Sequence, residues 1–130
     1  MLLDHPHVAL ARTLWTAVAD GDAAVIRLLV SDDVVWRSVG NNPRAGEYRG
    51  PAGVLDYLAS AGESVDRLQS TLEAIYVGED GAIVWYHVDA RRGRKSLSTD
   101  FVLRLRVRES RVIEALVVPV DQRKNDAFWK

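Results

Sequence analysis

The sequence predicts an α+β fold, with helices first and an antiparallel meander after them. Three observations carry this. Up to about position 61 the apolar residues recur every three or four positions, which is the helical period. After Gly62 the period becomes two, the period of a strand. Gly, Asn, Asp and Ser clusters then separate one strand from the next.

Asp4 is placed to cap a first helix, with Pro6 in its first turn. Val8, Ala11, Leu14, Trp15 and Val18 form its apolar stripe. The run Ala19-Asp20-Gly21-Asp22 breaks it, and Asp22 caps a short second helix carrying Val25, Ile26, Leu28 and Leu29. Ser31-Asp32-Asp33 reads as a turn and 34–39 as the first strand. Gly40, Asn41, Asn42, Pro43 and Gly46 follow within seven residues. Such a run makes an ordered, turn-rich crossing, better suited to a pocket rim than to a plain connection. Gly50 stands at a helix N-cap with Pro51 at the first helical position, where its missing N–H costs nothing. The third helix spans 51–61 with Val54, Leu55 and Leu58 inward, and Gly62 ends it as a left-handed cap.

Strands are expected at 68–77, 83–91, 96–107 and 112–120. In the third of these, Leu97, Phe101, Leu103, Leu105 and Val107 share one face, and Ser98, Asp100, Arg104 and Arg106 the other. The last of them is almost wholly apolar. The end, DQRKNDAFWK, is a polar turn with a short helix, Phe128 and Trp129 docking back. Two of the strands are longer than a flat sheet over these helices needs. A sheet curved around a helix, with a cavity between them, fits better.

A chain of 130 residues is one domain, 1–130, long enough to bury a core. Its net charge of −1 favours neither nucleic acid nor an anionic membrane. With no cysteine, disulfides and thiolate chemistry are excluded. No apolar run reaches the roughly 20 residues that span a bilayer. MLLDHPH lacks the pattern of a signal peptide, so the cytoplasm is the expected location. His5 and His7 lack a ligand set, so no metal is expected. Without a Gly-rich phosphate cradle no cofactor is expected either.

The segments VVWRSVGNNPRAGEYRG (34–50), ARRGR (90–94), FVLRLRVRESRVIEA (101–115) and DQRKNDAFW (121–129) resemble, in that order, the NTF2-like superfamily. The resemblance is closer to its SnoaL-like and ketosteroid-isomerase-like group. It implies a cone of curved antiparallel sheet (a cystatin-like roll) closed by three N-terminal helices. The implied pocket is apolar and opens at the wide end. The implied assembly is a homodimer through the outer sheet face. The implied activities are cofactor-independent isomerisation or cyclisation of polyketide or steroid-like carbonyl compounds, or plain carriage of a small apolar molecule. This chain departs from the group's pattern. Arg37 stands where relatives often carry His, and Leu103 and Val118 where they often carry polar groups. The implied inner wall of Phe101, Leu103, Leu105, Leu116, Val118 and Val120 is therefore greasy.

Candidate residues carry two readings each. His87, in phase with Trp85 and Asp89, is placed toward the cavity by the resemblance. It is then an acid/base group oriented by Asp89, or a hydrogen-bonded histidine of a half-buried strand. Asp121 is a carboxylate at the cavity mouth or the cap of the C-terminal turn. Asp100, with Arg104 and Arg106, belongs to a surface or interface ion-pair set, or faces inward if a bulge reverses the phase of its strand. Arg37 cannot act as a base. It binds a ligand anion or pairs with Glu47 or Asp33. Tyr48 and Tyr57 donate hydroxyls into the pocket or pack at its rim. Trp15 is the tryptophan expected to touch a ligand, with Phe101, Leu103, Leu116 and Val118 as wall.

Overall fold

The computed structural model describes residues 5–130. The expected Asp4 cap lies outside these residues. The first helix, α1 (Pro6–Asp20), is capped by His5, whose Nδ1 accepts the His7 N–H at 3.1 Å. Gly21 ends α1 in the left-handed conformation at φ 68°. Asp22 accepts the Val25 N–H and caps α2 (Ala23–Leu29) as its side-chain chemistry predicts.

The first strand, β1, spans Val30–Ser38, so the chain leaves α2 directly into the sheet. The turn expected at 31–33 is instead a register shift within the strand, between Val30 and Val35. A bulge absorbs the Ser-Asp-Asp run without ending the pairing. The shaped loop then contains a short strand the sequence reading missed, β2 (Gly46–Arg49), antiparallel to β1. Helix α3 (Gly50–Glu63) follows, with Arg49 as its cap. Gly62 is not its stop. The helix runs on to Glu63, and Ser64, in right-handed conformation, donates its N–H to the Ser60 and Ala61 carbonyls.

Strands β3 (Arg67–Val77), β4 (Gly81–Arg92), β5 (Lys95–Arg108) and β6 (Arg111–Pro119) complete one six-stranded sheet, in the order β2-β1-β6-β5-β4-β3. Only β1 and β6 run parallel. Glu109 and Ser110, both at positive φ, make the tight β5–β6 turn. Helix α4 (Gln122–Trp129) returns across the end of the sheet and buries Phe128 and Trp129. The curved sheet and its covering helices form the expected α+β cone. Helix α1 packs on β3 and β4, and α3 on β1. The core between them includes Leu14, Val30, Val34, Trp36, Val54, Val84 and Leu105, each at most 2% exposed. Burying such a side chain contributes about 1.5–3 kcal/mol. Among the described residues no helix is long and apolar enough to cross a membrane.

Candidate functional site

The inner face of the sheet and the helices do not close on each other completely. They leave a cavity of about 420 Å³. Helix α1 supplies Leu14, Trp15 and Val18 to it; the sheet supplies Val84, Tyr86, Phe101 and Leu103. Trp15 and Tyr86 meet at 5.0 Å between ring centroids, and Tyr86 stacks on Phe101 at 5.5 Å. Burial pushes the Tyr86 hydroxyl well above its ordinary range, so it stays neutral. Exposed Ala19, Leu68, Gln69 and Ser70 border the opening.

One wall is polar. Trp36 and Ser38 are alternate residues of β1 and face inward together. The Tyr57 hydroxyl, on α3, donates to Ser38 Oγ at 3.2 Å. The Trp36 indole N–H is buried without an acceptor among the described residues. An unmet buried donor costs about 1–3 kcal/mol. Arg44 reaches in from the loop. Its Nη1 donates to Ser60 Oγ at 2.6 Å and to the Tyr57 carbonyl at 3.2 Å, and its guanidinium lies over the Tyr57 and Trp129 rings at 4.3 and 4.8 Å. No carboxylate pairs with it among the described residues. Asp126 holds the loop in place, accepting from the Asn42 side chain at 2.7 Å and the Asn41 N–H at 2.9 Å. Those two bonds keep its carboxyl below the usual range.

Of the candidate residues, Trp15, Tyr57, Phe101 and Leu103 line the cavity. Tyr48 stands behind Tyr57 at 4.5 Å and donates to the Arg44 carbonyl at 2.7 Å. Arg37 points away and pairs with Glu47 at 2.9 Å. Leu116 and Val118 are corrections. In the β5–β6 register Val117 lies opposite Leu103 and Ala115 opposite Leu105, so the inward set of β6 is Ala115, Val117 and Pro119. Leu116, Val118 and the exposed Val120 belong to the outer face. A run that is apolar at every position has no alternation from which to read its phase.

His87 and Asp89 are corrections of the same kind. Val84, Tyr86 and Val88 face the cavity, which turns Trp85, His87 and Asp89 outward. There Asp100, opposite His87 in the ladder, gathers the polar groups. Its Oδ1 lies 2.7 Å from His87 Nδ1, and its Oδ2 accepts the Trp85 indole N–H at 2.9 Å. Arg106 pairs with Glu114 instead, so the expected arginine set around Asp100 does not form. The Asp100 hydrogen bond raises the His87 pKa, and the Trp85 and His87 hydrogen bonds lower that of Asp100. His87 Nε2 is also 3.1 Å from Ser98 Oγ. The carboxylate–imidazole–hydroxyl chain lies on the outer face of β4 and β5, beside the end of the sheet where the pairing of β5 with β6 stops at Phe101. Asp121 is exposed and caps α4, accepting the Lys124 N–H at 3.1 Å.

The reading of the sequence missed Arg44, Ser38 and Asn125 as cavity residues. Ser38 had a signal: it shares the inward phase of the buried Val34. Arg44 had none beyond its place in the shaped loop. Among the described residues no group of three or more His, Asp or Glu side chains could hold a metal ion.

Solved structures share this architecture. Bal32a, from a soil-derived mobile gene cassette, superposes with a TM-score of 0.90 at 21% identity, over 96% of this chain and 97% of its own. A protein of unknown function with a cystatin-like fold from Xanthomonas campestris gives 0.86 at 26% identity, over 95% and 97%. TerC, co-crystallized with polyporic acid, gives 0.83 at 16% identity, over 95% and 98%. No match was found among curated protein sequences. Residues 11–115 match the model of the SnoaL-like domain, and the chain belongs to that family, within the NTF2-like superfamily.

Proposed function

We propose that the chamber binds a small, largely apolar molecule and holds it by shape and a few hydrogen bonds. One observation carries this reading. Among the described residues lining the cavity there is no Asp, Glu or His; the ionisable groups are Arg44, Tyr57 and Tyr86. A guanidinium is not a general base, and Tyr86 stays neutral. A cofactor-independent isomerase or polyketide cyclase is the second reading. The SnoaL-like family favours it, and TerC, of similar fold, was co-crystallized with polyporic acid. On that reading Arg44 and Tyr57 would position a carbonyl substrate, with the proton carried by the substrate or solvent.

Naphthalene is a suitable probe, followed by methyl NMR. It should shift the Leu58, Leu103, Val84 and Val117 methyl signals. Leu58→Trp, which intrudes on the chamber, should weaken binding by about tenfold or more. His87→Ala and Asp121→Asn should stay within about twofold. Unmoved chamber methyls would sink the proposal. Turnover of a polyketide-like ketone, lost in Arg44→Met or Tyr57→Phe with binding kept, would favour the second reading.

The same proposal includes a homodimer through the outer sheet face. Exposed Ile83 and Val120 and half-buried Trp85, Val102, Leu116 and Val118 support it. Sedimentation velocity should give twice the monomer mass; a monomer at high concentration would refute it.

A further inference from the structure

On the outer face of the sheet an arginine stands without a carboxylate. Arg37 and Arg49 share Glu47, and Arg106 holds Glu114. Arg104 is exposed in the middle of β5 and pairs with no carboxylate among the described residues. Its ladder neighbours are apolar, Ile83 on β4 and Leu116 on β6. Asp100 stands four residues back on the same strand and the same face. One of its oxygens accepts from Trp85 and the other lies against His87, which leaves lone pairs on both. Within the chain the two charges are roughly 13 Å apart along the strand, too far to pair.

Halfway between them is Val102. Its row across the sheet is Ala74, Trp85, Val102 and Val118, with no charge in it. Of the five large apolar side chains exposed among the described residues, Tyr76, Ile83 and Val120 stand on this face beside that row. A sheet laid face to face on its own copy is related to it by a two-fold axis in the plane between them. The charges choose among the possible axes. An axis along β5, or along the row of Arg104, sets that arginine on its own counterpart. An axis along the row of Asp100 sets two carboxylates together. Like charges so placed are repelled. An axis along the row of Val102 lays the apolar residues on themselves and Leu116 on the partner subunit's Val120. It also brings Arg104 to the partner subunit's Asp100.

We propose that a second copy of this chain docks on the outer face in that register, held by two symmetry-related ion pairs between Arg104 and the partner subunit's Asp100. The inference rests on the homodimer proposed above and adds its axis and the residues that set it. Trp85 and His87 already fix the Asp100 carboxylate, so little side-chain freedom is lost when the guanidinium arrives.

The test is sedimentation velocity on Arg104→Asp and Asp100→Arg, each alone and the two mixed in equal amounts. Alone, either variant sets like charges against each other at both pairs. Its dimer dissociation constant should rise about a hundredfold or more. Mixed, the two variants oppose unlike charges at both pairs, and a dimer of one with the other should form within about tenfold of the parent affinity. Arg108→Asp makes the same change in net charge at the β5–β6 turn and should dimerise like the parent. An Arg104→Asp variant that dimerises as tightly as the parent, or no more weakly than Arg108→Asp, would overturn the inference and leave a dimer in another register. Variants that stay apart when mixed would also overturn it. A parent protein that is monomeric at high concentration would remove the dimer reading itself. Should Asp100→Arg fail to fold without an acceptor for Trp85, the contrast between Arg104→Asp and Arg108→Asp still decides, because both positions are exposed.

Discussion

The Tyr57–Ser38 hydrogen bond can be tested by a double-mutant cycle, because both partners are buried and face the chamber. Tyr57 is 6% exposed and Ser38 9%, and the bond is 3.2 Å long. Tyr57→Phe removes the hydroxyl and keeps the ring. The contacts with Trp36 at 6.5 Å, Tyr48 at 4.5 Å and the Arg44 guanidinium at 4.3 Å therefore survive. Its cost should be the net worth of one neutral hydrogen bond, about 1 kcal/mol. Ser38→Ala instead strands the Tyr57 hydroxyl at a buried site, which should cost about 2 kcal/mol. Removing both leaves nothing stranded. The double variant should therefore lose about 1 kcal/mol, roughly 2 kcal/mol less than the singles combined. Urea denaturation at neutral pH gives all four values, and the m-value should not change. In melting temperature, 1 kcal/mol is about 4 °C for a domain of this size. Strict additivity, with coupling below about 0.3 kcal/mol, would refute the reasoning. The two hydroxyls would then act independently.

Two further outcomes follow from groups outside the chamber. The Asp100 hydrogen bond raises the folded-state pKa of His87 above its unfolded value. The stability it contributes is therefore fully present below about pH 6.5 and is lost as pH rises through the folded pKa. The stability gap between the parent protein and His87→Gln should shrink as pH rises from about 6 to 8; an NMR midpoint for His87 at or below about 6.5 would contradict this. Gly81 begins β4 with its backbone pressed against the Leu105 carbonyl, and any Cβ there would overlap that oxygen. Gly81→Ala should cost about 3 kcal/mol by urea denaturation, since backbone on both sides cannot give way; parental stability would show that the strand can shift.

The sequence made the architecture legible because its elements announce themselves locally. Leu14 and Val18 belong to a helical stripe, Gly21 supplies the left-handed residue that stops α1, and Phe101, Leu103 and Leu105 alternate cleanly. Strand phase was legible only where polar residues broke the run. In β4 the alternation of Val84, Tyr86, Val88 and Ala90 was available, and so was the pairing of His87 with Asp100, which its charged neighbours already placed outside. Gly62 misled for another reason. A glycine after an apolar stripe permits a left-handed stop but does not require one, and here the helix continues through it.

The polar wall belongs to a different class of information. Arg44 is held by Ser60, 16 positions away, and Asn42 by Asp126, 84 positions away, so no window of sequence contains either interaction. Trp36 is harder still. Its inward direction follows from the β1 alternation, yet what sets it apart is the lack of a partner, and that depends on every side chain folded around it. Trp85 has an exposed sheet face and finds Asp100; Trp129 has its own helix and finds Asn125 one turn back. Trp36 lies against Tyr57, with 6.5 Å between ring centroids, and the Tyr57 hydroxyl is already turned toward Ser38. A core built only for stability gains by replacing such an indole with an apolar side chain of similar size, since nothing then remains unpaired.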